Sequence, residues 1–214
     1  MEKYNSKWYI YINCLNYDSN TLSNANLNSH MMKNDEWGAV VYLSKSKYGK
    51  NAEVTINDNS SYYTGGGSKN SYVSNVGQST TGTVHGVYDM SGGAYEYVAA
   101  YVNNGNNSLS NGESLVNGES KTKSVYSKAS SDSYENNYNE NSSKYGDTVY
   151  ETSTSGSGST SWYGNYSIFT NTSYPFFHRG GNYNSAASAG IFCFNGSNGN
   201  AYSDSSFRPV LIIL

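Results

Sequence analysis

The sequence predicts an α+β fold with one clear helix, several short strands and a large proportion of loops. Three observations support this prediction. Apolar residues recur at helical spacing in one stretch only, they alternate or form short runs in several others, and long stretches rich in Ser, Asn and Gly separate them. The 214 residues suit one domain with a short appendage, and a chain of this length can bury a sizeable core.

The first elements lie in and after a polar N-terminal segment, residues 1–29. Within it, the apolar run at 8–12 predicts a strand. Residues 30–48 predict a helix that Asn34 or Asp35 caps. The apolar face of this helix recurs at i, i+3 and i+4 and consists of Trp37, Val40, Val41 and Leu43.

The middle of the chain alternates between short apolar stretches and polar ones. Residues 52–57 alternate as a strand does, residues 58–82 are typical of a loop, and residues 84–102 predict a turn followed by a strand with alternating aromatic residues. Residues 103–160 are the most polar region and predict a long surface insertion.

Aromatic and apolar residues return at 162–214. Phe192 and Phe194 alternate with their neighbours, so one pair must face inward in a strand, and we assign the phenylalanines to the core. The final run, 207–214, predicts a buried strand with Pro209 at a bulge or a sheet edge.

Four residue types dominate the composition: 37 Ser, 30 Asn, 23 Tyr and 22 Gly make up more than half of the chain. Charged residues amount to only 14% and the net charge is −3, which argues against a basic surface for nucleic acid. An aromatic content of 15% with so little charge also argues against disorder. Tyr, Ser, Gly and Asn are typical of binding loops, because Tyr supplies contact area at low entropy cost and the small residues supply adaptable hydrogen bonds. Codon bias in an AT-rich genome is the alternative explanation of the Asn content.

Membrane insertion, metal ions and cofactors are not expected. No apolar run approaches the ~20 residues of a membrane span, and the N-terminus lacks the features of a signal peptide, so the chain either is not exported by that route or belongs to a longer protein. Cys14 and Cys193 allow one disulfide or two free thiols, and without a paired C-x-x-C motif they predict no zinc site. The three histidines, His30, His85 and His178, are scattered singly along the chain, which argues against a histidine metal site.

Three separated motifs occur in a fixed order. The first lies at 37–43 on the predicted helix, the second at 86–98, and the third begins at 179–184 and is completed by Phe207 and Arg208. Together they resemble the W-x-x-A-x-x-Y, G-L-Y-D-M-x-G-N-x-W-E-W, R-G-G-S-W and G-F-R motifs of the formylglycine-generating-enzyme-like (sulfatase-modifying-factor) branch of the C-type lectin fold. Within that branch the chain is most similar to the variable proteins of diversity-generating retroelements.

The resemblance implies a fold and a division of the chain. The fold is α+β of the C-type lectin type, with a small antiparallel sheet, one or two helices and many loops. The domain is expected at 30–214, with the polar insertion at about 103–160 and a variable ligand-binding region at about 178–208.

The resemblance also implies a non-enzymatic protein that binds a ligand or receptor through a diversified surface, such as a module of a phage tail or a cell-surface receptor-binding protein. Its partner would be a macromolecule, a protein or a glycan on a cell surface, and its location extracellular, on a cell surface or on a virion. A second hypothesis is a structural tip or adhesin module of a fibre or pilus, built on a catalytically inactive domain of this type. A third is an oxidase with altered metal ligands. Oxidase members, however, need two neighbouring cysteines in their C-terminal part, where this chain has only Cys193.

Retroelement diversification replaces adenines, and at Asn codons of the AAC type it cannot produce Lys, Glu, Gln, Met or Trp. Those five residue types number 28 in residues 1–162 and zero in residues 163–214. Buried strands also contain few Lys and Glu residues, which is the alternative explanation. The stretch 182–205 is rich in small residues and Tyr, as antibody binding loops are.

Two sets of candidate residues follow. The first set is expected to point outward as a ligand-binding surface and consists of Asn182, Tyr183, Asn184, Ser185, Ser188, Cys193, Ser197, Asn198, Tyr202, Ser203, Asp204 and Ser205. The second set belongs to the motifs that hold the scaffold and consists of Trp37, Asp89, Glu96, Arg179, Gly180, Gly181, Phe207 and Arg208. Arg179 and Arg208 are the only arginines, and we expect structural hydrogen bonds from both. We expect Asp89 and Glu96 to cap or orient backbone, because no companion nucleophile accompanies them.

Overall fold

A curled β-sheet separates two apolar clusters, and the described part of the chain adds four α-helices. The computed structural model describes residues 9–22, 26–105, 109 and 111–214. The helices are α1 (Tyr9–Leu15), α2 (Asn34–Lys45), α3 (Glu113–Asn117) and α4 (Tyr134–Glu140). None of these helices has the length and apolar character needed to cross a bilayer. The strands are β1 (Leu27–Met31), β2 (Tyr95–Asn103), β3 (Ser124–Ser127), β4 (Ser157–Gly158), β5 (Ser167–Ile168), β6 (Phe176–Arg179), β7 (Phe194–Ser197), β8 (Ser205–Phe207) and β9 (Pro209–Ile213). The α+β class is confirmed, with more helices than the one or two expected.

The larger sheet has seven strands in the order β3-β2-β6-β7-β5-β4, with β8 also paired to β2. The pairs β2–β6, β6–β7 and β4–β5 are antiparallel, whereas β2–β3, β2–β8 and β5–β7 are parallel. The expectation of an antiparallel sheet is therefore wrong for this sheet, because β3 and β8 both run in the direction of β2 along one of its edges. Strands β1 and β9 form a separate antiparallel pair.

Alternation along β2 divides the core in two, because successive side chains of a strand point to opposite faces. The first core contains the even-numbered residues of β2 together with residues from α2, β6 and β7, and its members include Trp37, Val41, Val98, Ala100, Val102, Phe177 and Phe194. The second core contains the odd-numbered residues of β2 together with residues from α1, β1 and α3, and its members include Tyr11, Cys14, Met31, Tyr97, Ala99, Tyr101, Leu115 and Phe176. Burial of one large apolar side chain contributes about 1.5–3 kcal/mol, so both faces of β2 stabilise the fold.

Helix α2 starts later than the sequence predicts, because residues 27–31 already pair with β9 as strand β1. Its N-cap is Lys33, whose backbone N–H donates a hydrogen bond of 2.9 Å to Glu36 Oε2. The predicted caps, Asn34 and Asp35, lie inside the first turn instead. On the predicted apolar face, Leu43 remains 63% exposed.

The run predicted as a strand at 8–12 is helical from Tyr9 onward, and Trp8 lies outside the described residues. Tyr11 and Cys14 are both buried in the second core. Residues three apart share one face of a helix but lie on opposite faces of a strand, so burying both favours the helix.

Two other predicted strands differ from the structure. Residues 52–57 form only an isolated bridge, between Asn57 and Gly92. The C-terminal strand β9 exists, with Pro209 on a two-stranded sheet where every strand is an edge, but it is not buried. Leu211 and Ile213 are 45% and 83% exposed, since in the described part of the chain β1 is its only partner strand.

The polar segment 103–160 is not confined to the surface. Leu115 belongs to the second core, and Tyr126 and Val149 belong to the first. The predicted boundary between 1–29 and the remaining chain falls inside strand β1. The existence of a separate insertion and of a distinct N-terminal segment stays a prediction.

Candidate functional site

The candidate site lies on the second face of the sheet, at the start of β2. Alternation places Tyr95 and Tyr97 on one face. In the sheet, His178 of β6 is paired with Tyr97, Asn195 of β7 is paired with His178, and Ser205 of β8 is paired with Tyr95. Directly paired residues point to the same face of a sheet. Strands distant in sequence therefore bring tyrosine, histidine, amide and hydroxyl side chains together.

These residues belong to an open cleft of about 260 Å³. We call it the β7–β8 cleft, and its lining residues are Tyr95, Tyr174, His178, Asn195, Gly196, Ser197, Asn198, Tyr202, Asp204 and Ser205. Five of these ten residues belong to the ligand-binding set predicted from the sequence: Ser197, Asn198, Tyr202, Asp204 and Ser205. A sixth, Gly196, is the neighbour of Ser197 in β7. Residues 178–208 thus contribute most of the lining of this cleft.

His178 forms the inner aromatic layer of the cleft. Its ring stacks on Tyr95, with centroids 5.0 Å apart and planes at 10°, and it contacts Tyr97 at 4.0 Å. Because the side chain is 5% exposed, burial lowers the pKa of His178 to about 3 and keeps the imidazole neutral at physiological pH. The hydroxyl of Tyr97 is held by Ser197 Oγ at 2.7 Å, and burial raises the pKa of Tyr97 to about 12.

Three polar atoms of the cleft residues are buried without a hydrogen-bond partner among the residues that the structure describes. They are His178 Nε2, Asn195 Oδ1 and Ser205 Oγ. Each unmade bond of this kind costs about 1–3 kcal/mol. Buried polar groups in folded proteins nearly always have a partner, so three exceptions in one cleft call for an explanation.

Nine of the predicted surface residues are at least partly exposed. They are Tyr183, Asn184, Ser185, Ser188, Asn198, Tyr202, Ser203, Asp204 and Ser205. Of the two tyrosines in this set, Tyr202 is the more exposed, at 46%. Eight of these residues lie in the segments before and after β7, and Ser205 begins β8. That they form one ligand-binding surface stays a prediction.

The outward orientation predicted for Asn182, Cys193 and Ser197 is wrong, since they are only 8%, 2% and 5% exposed. Cys193 lies in a turn closed by its N–H to Gly190 O at 2.9 Å, so strand alternation with the phenylalanines does not apply. Phe192 is buried as expected.

Asn182 and Ser197 are buried because they hold neighbouring loops. The Asn182 side chain donates to Asp204 Oδ2 at 2.8 Å and accepts from Ser185 Oγ at 2.8 Å. Ser197 Oγ bonds Tyr97 OH and accepts from the backbone N–H of Gly199. Both residues position the loops of the candidate surface rather than contacting a partner.

Two members of the scaffold set, Glu96 on β2 and Arg179 on β6, lie on the opposite face of the sheet, whereas Phe207 pairs with Tyr97 on the cleft face. The fully buried Arg179 guanidinium donates to Asn34 Oδ1 at 2.9 Å, to Asp147 O at 3.2 Å and to Thr148 Oγ1 at 3.2 Å. Trp37 Nε1 donates to Ile191 O at 2.9 Å. Arg179 and Trp37 therefore join helix α2 to the segments around residues 147–148, 179 and 191.

The second arginine joins the last strands to β2. Arg208 forms an ion pair with the buried carboxylate of Glu96 and donates to Tyr88 O. Burial raises the pKa of Glu96, and the Arg208 charge opposes that shift. Asp89 accepts a hydrogen bond of 2.7 Å from Thr64 Oγ1, and Phe207 is 38% exposed.

The paired glycines explain the tight connection after β6. Gly180 and Gly181 have φ of 83° and 70°, a region that favours glycine. Gly180 O accepts from the N–H groups of both Gly92 and Gly190, at 3.0 and 2.9 Å. These bonds tie the second motif to the third and fix the start of the segment that follows β6.

Sequence reasoning missed a second group of tyrosines beside the predicted surface. Tyr62, Tyr63 and Tyr72 line an open depression of about 380 Å³ in the 58–82 loop. The ring of Tyr62 packs edge-on against Tyr183 at 5.5 Å. Tyrosines within a loop rich in Gly and Ser were the available signal.

The described residues contain no group of three or more His, Cys, Asp or Glu side chains arranged to hold a metal ion. Cys14 and Cys193 are free thiols rather than a disulfide. Burial raises the pKa of both thiols to about 12, so neither is primed as a nucleophile. Comparisons with protein-family models, curated proteins and solved structures found no significant match to this chain.

Proposed function

We propose that this chain is a non-enzymatic binding protein of the C-type lectin type that presents residues 178–208 as a variable surface, as variable proteins of diversity-generating retroelements do. One observation carries the proposal. Within β2, β6 and β7, the two residues of the scaffold set, Glu96 and Arg179, occupy one face, while His178 and Asn195 of the cleft occupy the other. Side chains on the cleft face can therefore change with little effect on the first core.

The chemistry of the surface also supports recognition. Exposed Tyr174 and Tyr202 flank the cleft and offer amphipathic contact area. The loops beside them carry Ser and Asn side chains, which form adaptable hydrogen bonds. Neither arginine is available as a ligand contact at this surface, because Arg179 is fully buried and Arg208 pairs with Glu96.

The partner that fits this surface is a macromolecule on a cell surface, a protein or a glycan. The net charge of −3 and the scarcity of exposed cations do not favour nucleic acid. An extracellular, cell-surface or virion location follows from that kind of partner and belongs to the same proposal.

A pair of matched libraries of the full chain tests the proposal. The first library randomises the exposed positions Tyr183, Asn184, Tyr202 and Ser203. The second randomises the buried positions Asn182, Cys193 and Ser197. Each library is displayed, sorted for resistance to protease, and then selected against an immobilised test protein such as lysozyme.

We expect most members of the first library, and few of the second, to survive protease, and binders to emerge from the first alone. Equal losses in both libraries would refute the idea of a tolerant surface. The DNA beside the gene gives an independent test. A reverse transcriptase gene and a near-copy of the 3′ coding region that differs at adenines are expected, and a locus with neither would count against the retroelement relationship.

One observation favours the second candidate, a structural module of a fibre or pilus tip. The last residues, 211–214, are all apolar and 45–83% exposed, and one edge of β9 has no partner strand among the described residues. Exposed apolar edge strands pair readily with other chains. If this candidate is correct, Ile213→Lys should abolish self-association measured by sedimentation while the test-protein binders are unaffected.

A further inference from the structure

The β7–β8 cleft has the features of a small-ligand site within the larger surface. His178 is only 5% exposed, and its Nε2 has no hydrogen-bond partner among the described residues. The Oδ1 atom of Asn195, which is paired with His178 across β6 and β7, and the Oγ atom of Ser205 share this condition. Nine buried side-chain atoms lack a partner among the described residues, and three of the nine belong to the lining of this one cleft, which points to an absent occupant.

The three atoms differ in what they require. Asn195 Oδ1 only accepts, Ser205 Oγ both donates and accepts, and a neutral imidazole nitrogen does one or the other according to its tautomer. A ligand that satisfies all three must carry neighbouring groups that both donate and accept. Adjacent hydroxyls meet this requirement, either directly or through a water that they hold.

The charge of the cleft selects against ionic ligands. No Lys or Arg lines it, so an anion would enter without a counter-charge. Its only carboxylate, Asp204, already accepts a hydrogen bond from Asn182. A cation would find one shared carboxylate and no further acidic group, which is a poor site.

The walls and size of the cleft select a ring. Tyr95, Tyr174 and Tyr202 supply aromatic faces, which pack against apolar C–H groups while hydroxyls bond the floor. The volume of about 260 Å³ is below the range of about 300–1,000 Å³ for pockets that hold drug-sized ligands, so one ring fits and an oligosaccharide does not.

From these observations we infer that the β7–β8 cleft binds one neutral sugar ring, as the terminal unit of a glycan, through Asn195, Ser205 and His178 between tyrosine walls. The inference rests on the proposed function and names the class of ligand for part of the same surface. It needs no metal ion, because side chains alone supply the hydrogen bonds.

The test uses the full chain with free glucose, galactose, mannose and N-acetylglucosamine, and with glucuronic acid and glucosamine as anionic and cationic probes. Saturation-transfer NMR detects binding, and chemical-shift titration gives Kd and maps the site without any substitution. We expect at least one neutral sugar to bind more tightly than both charged probes and to shift the backbone amides of Asn195 and Ser205.

Ser205→Ala and Asn195→Leu should each raise Kd about tenfold, the loss expected for one hydrogen bond in a buried site. Ser203→Ala is the matched control, since Ser203 is exposed on the same loop outside the cleft, and it should leave Kd unchanged. Each variant removes an unpartnered atom or an exposed hydroxyl, so its thermal midpoint should not fall.

Absence of neutral-sugar binding, shifts that map elsewhere, or a Kd unaffected by both cleft substitutions would overturn the inference. A protein partner that binds the surface without competition from any of the sugars would also overturn it and would leave the proposed function standing. If sugars bind but the members of the first library fail to fold, the inference of a sugar site would stand and the proposed tolerant surface would be refuted.

Discussion

Acidification should destabilise this protein through His178. Burial lowers the pKa of His178 from 6.5 to about 3, so below pH 6.5 the unfolded chain takes up a proton that the folded chain excludes. Stability is then lost as pH falls toward 3, at about 1.4 kcal/mol per pH unit. Between pH 7 and pH 5 the expected loss from this one side chain is about 2 kcal/mol.

The perturbation that isolates this effect is His178→Phe, which keeps a ring between Tyr95 and Tyr97 and removes the titrating group. Urea unfolding at pH 7, 6 and 5 gives the free energy of unfolding for both proteins. Other acid-titrating groups, such as Asp147, are present in both and cancel in the difference. The reasoning is refuted if the two proteins lose the same stability on acidification, or if NMR shows the His178 ring titrating near pH 6.5.

Three further predictions concern the scaffold. Arg179→Met should lower the free energy of unfolding by about 3–5 kcal/mol in urea titrations, because it leaves three buried acceptors without their donor and removes a positive charge that favours the buried Asp147 carboxylate. A loss below about 1 kcal/mol would contradict this. Cys14 and Cys193 should react with Ellman's reagent only after denaturation, since both thiols are buried, and reaction of the native protein or fewer than two thiols in urea would show otherwise. Gly181→Ala should destabilise the protein by about 1–3 kcal/mol more than the control Gly164→Ala. Both glycines have positive φ, but only a Cβ at position 181 would lie 2.7 Å from the backbone of another residue, Ala189. Equal melting temperatures of the two variants would disprove the packing argument.

The scaffold could be predicted better than the site. Trp37, Arg179 and Arg208 were assigned structural roles from motifs, and the structure gives each of them long-range hydrogen bonds. The partners of those bonds were not predictable. Asn34 and Thr148 meet Arg179 only through the tertiary fold, and nothing in their local sequence indicates a buried polar role.

Part of the candidate site was not predicted, for two physical reasons. Period-2 alternation is informative only where the chain is extended, and the turn before β7 places Cys193 inside instead of outside. His178 looked like an isolated histidine because its neighbours in space, Tyr97 and Asn195, come from strands distant in sequence. Pairing of that kind depends on the sheet register, which local sequence does not specify.

The pleat of β7 also limits how this protein can evolve. Inserting a single residue there would move each following side chain of the strand to the other face of the sheet, so that Phe194 would leave the first core and Asn195 would enter it. We therefore expect homologous sequences to differ in β7 by substitution but not in its length, whereas the connection between Asn198 and Asp204 can accept insertions and deletions. New specificities should thus arise by replacement within β7 and by insertion or deletion beyond it.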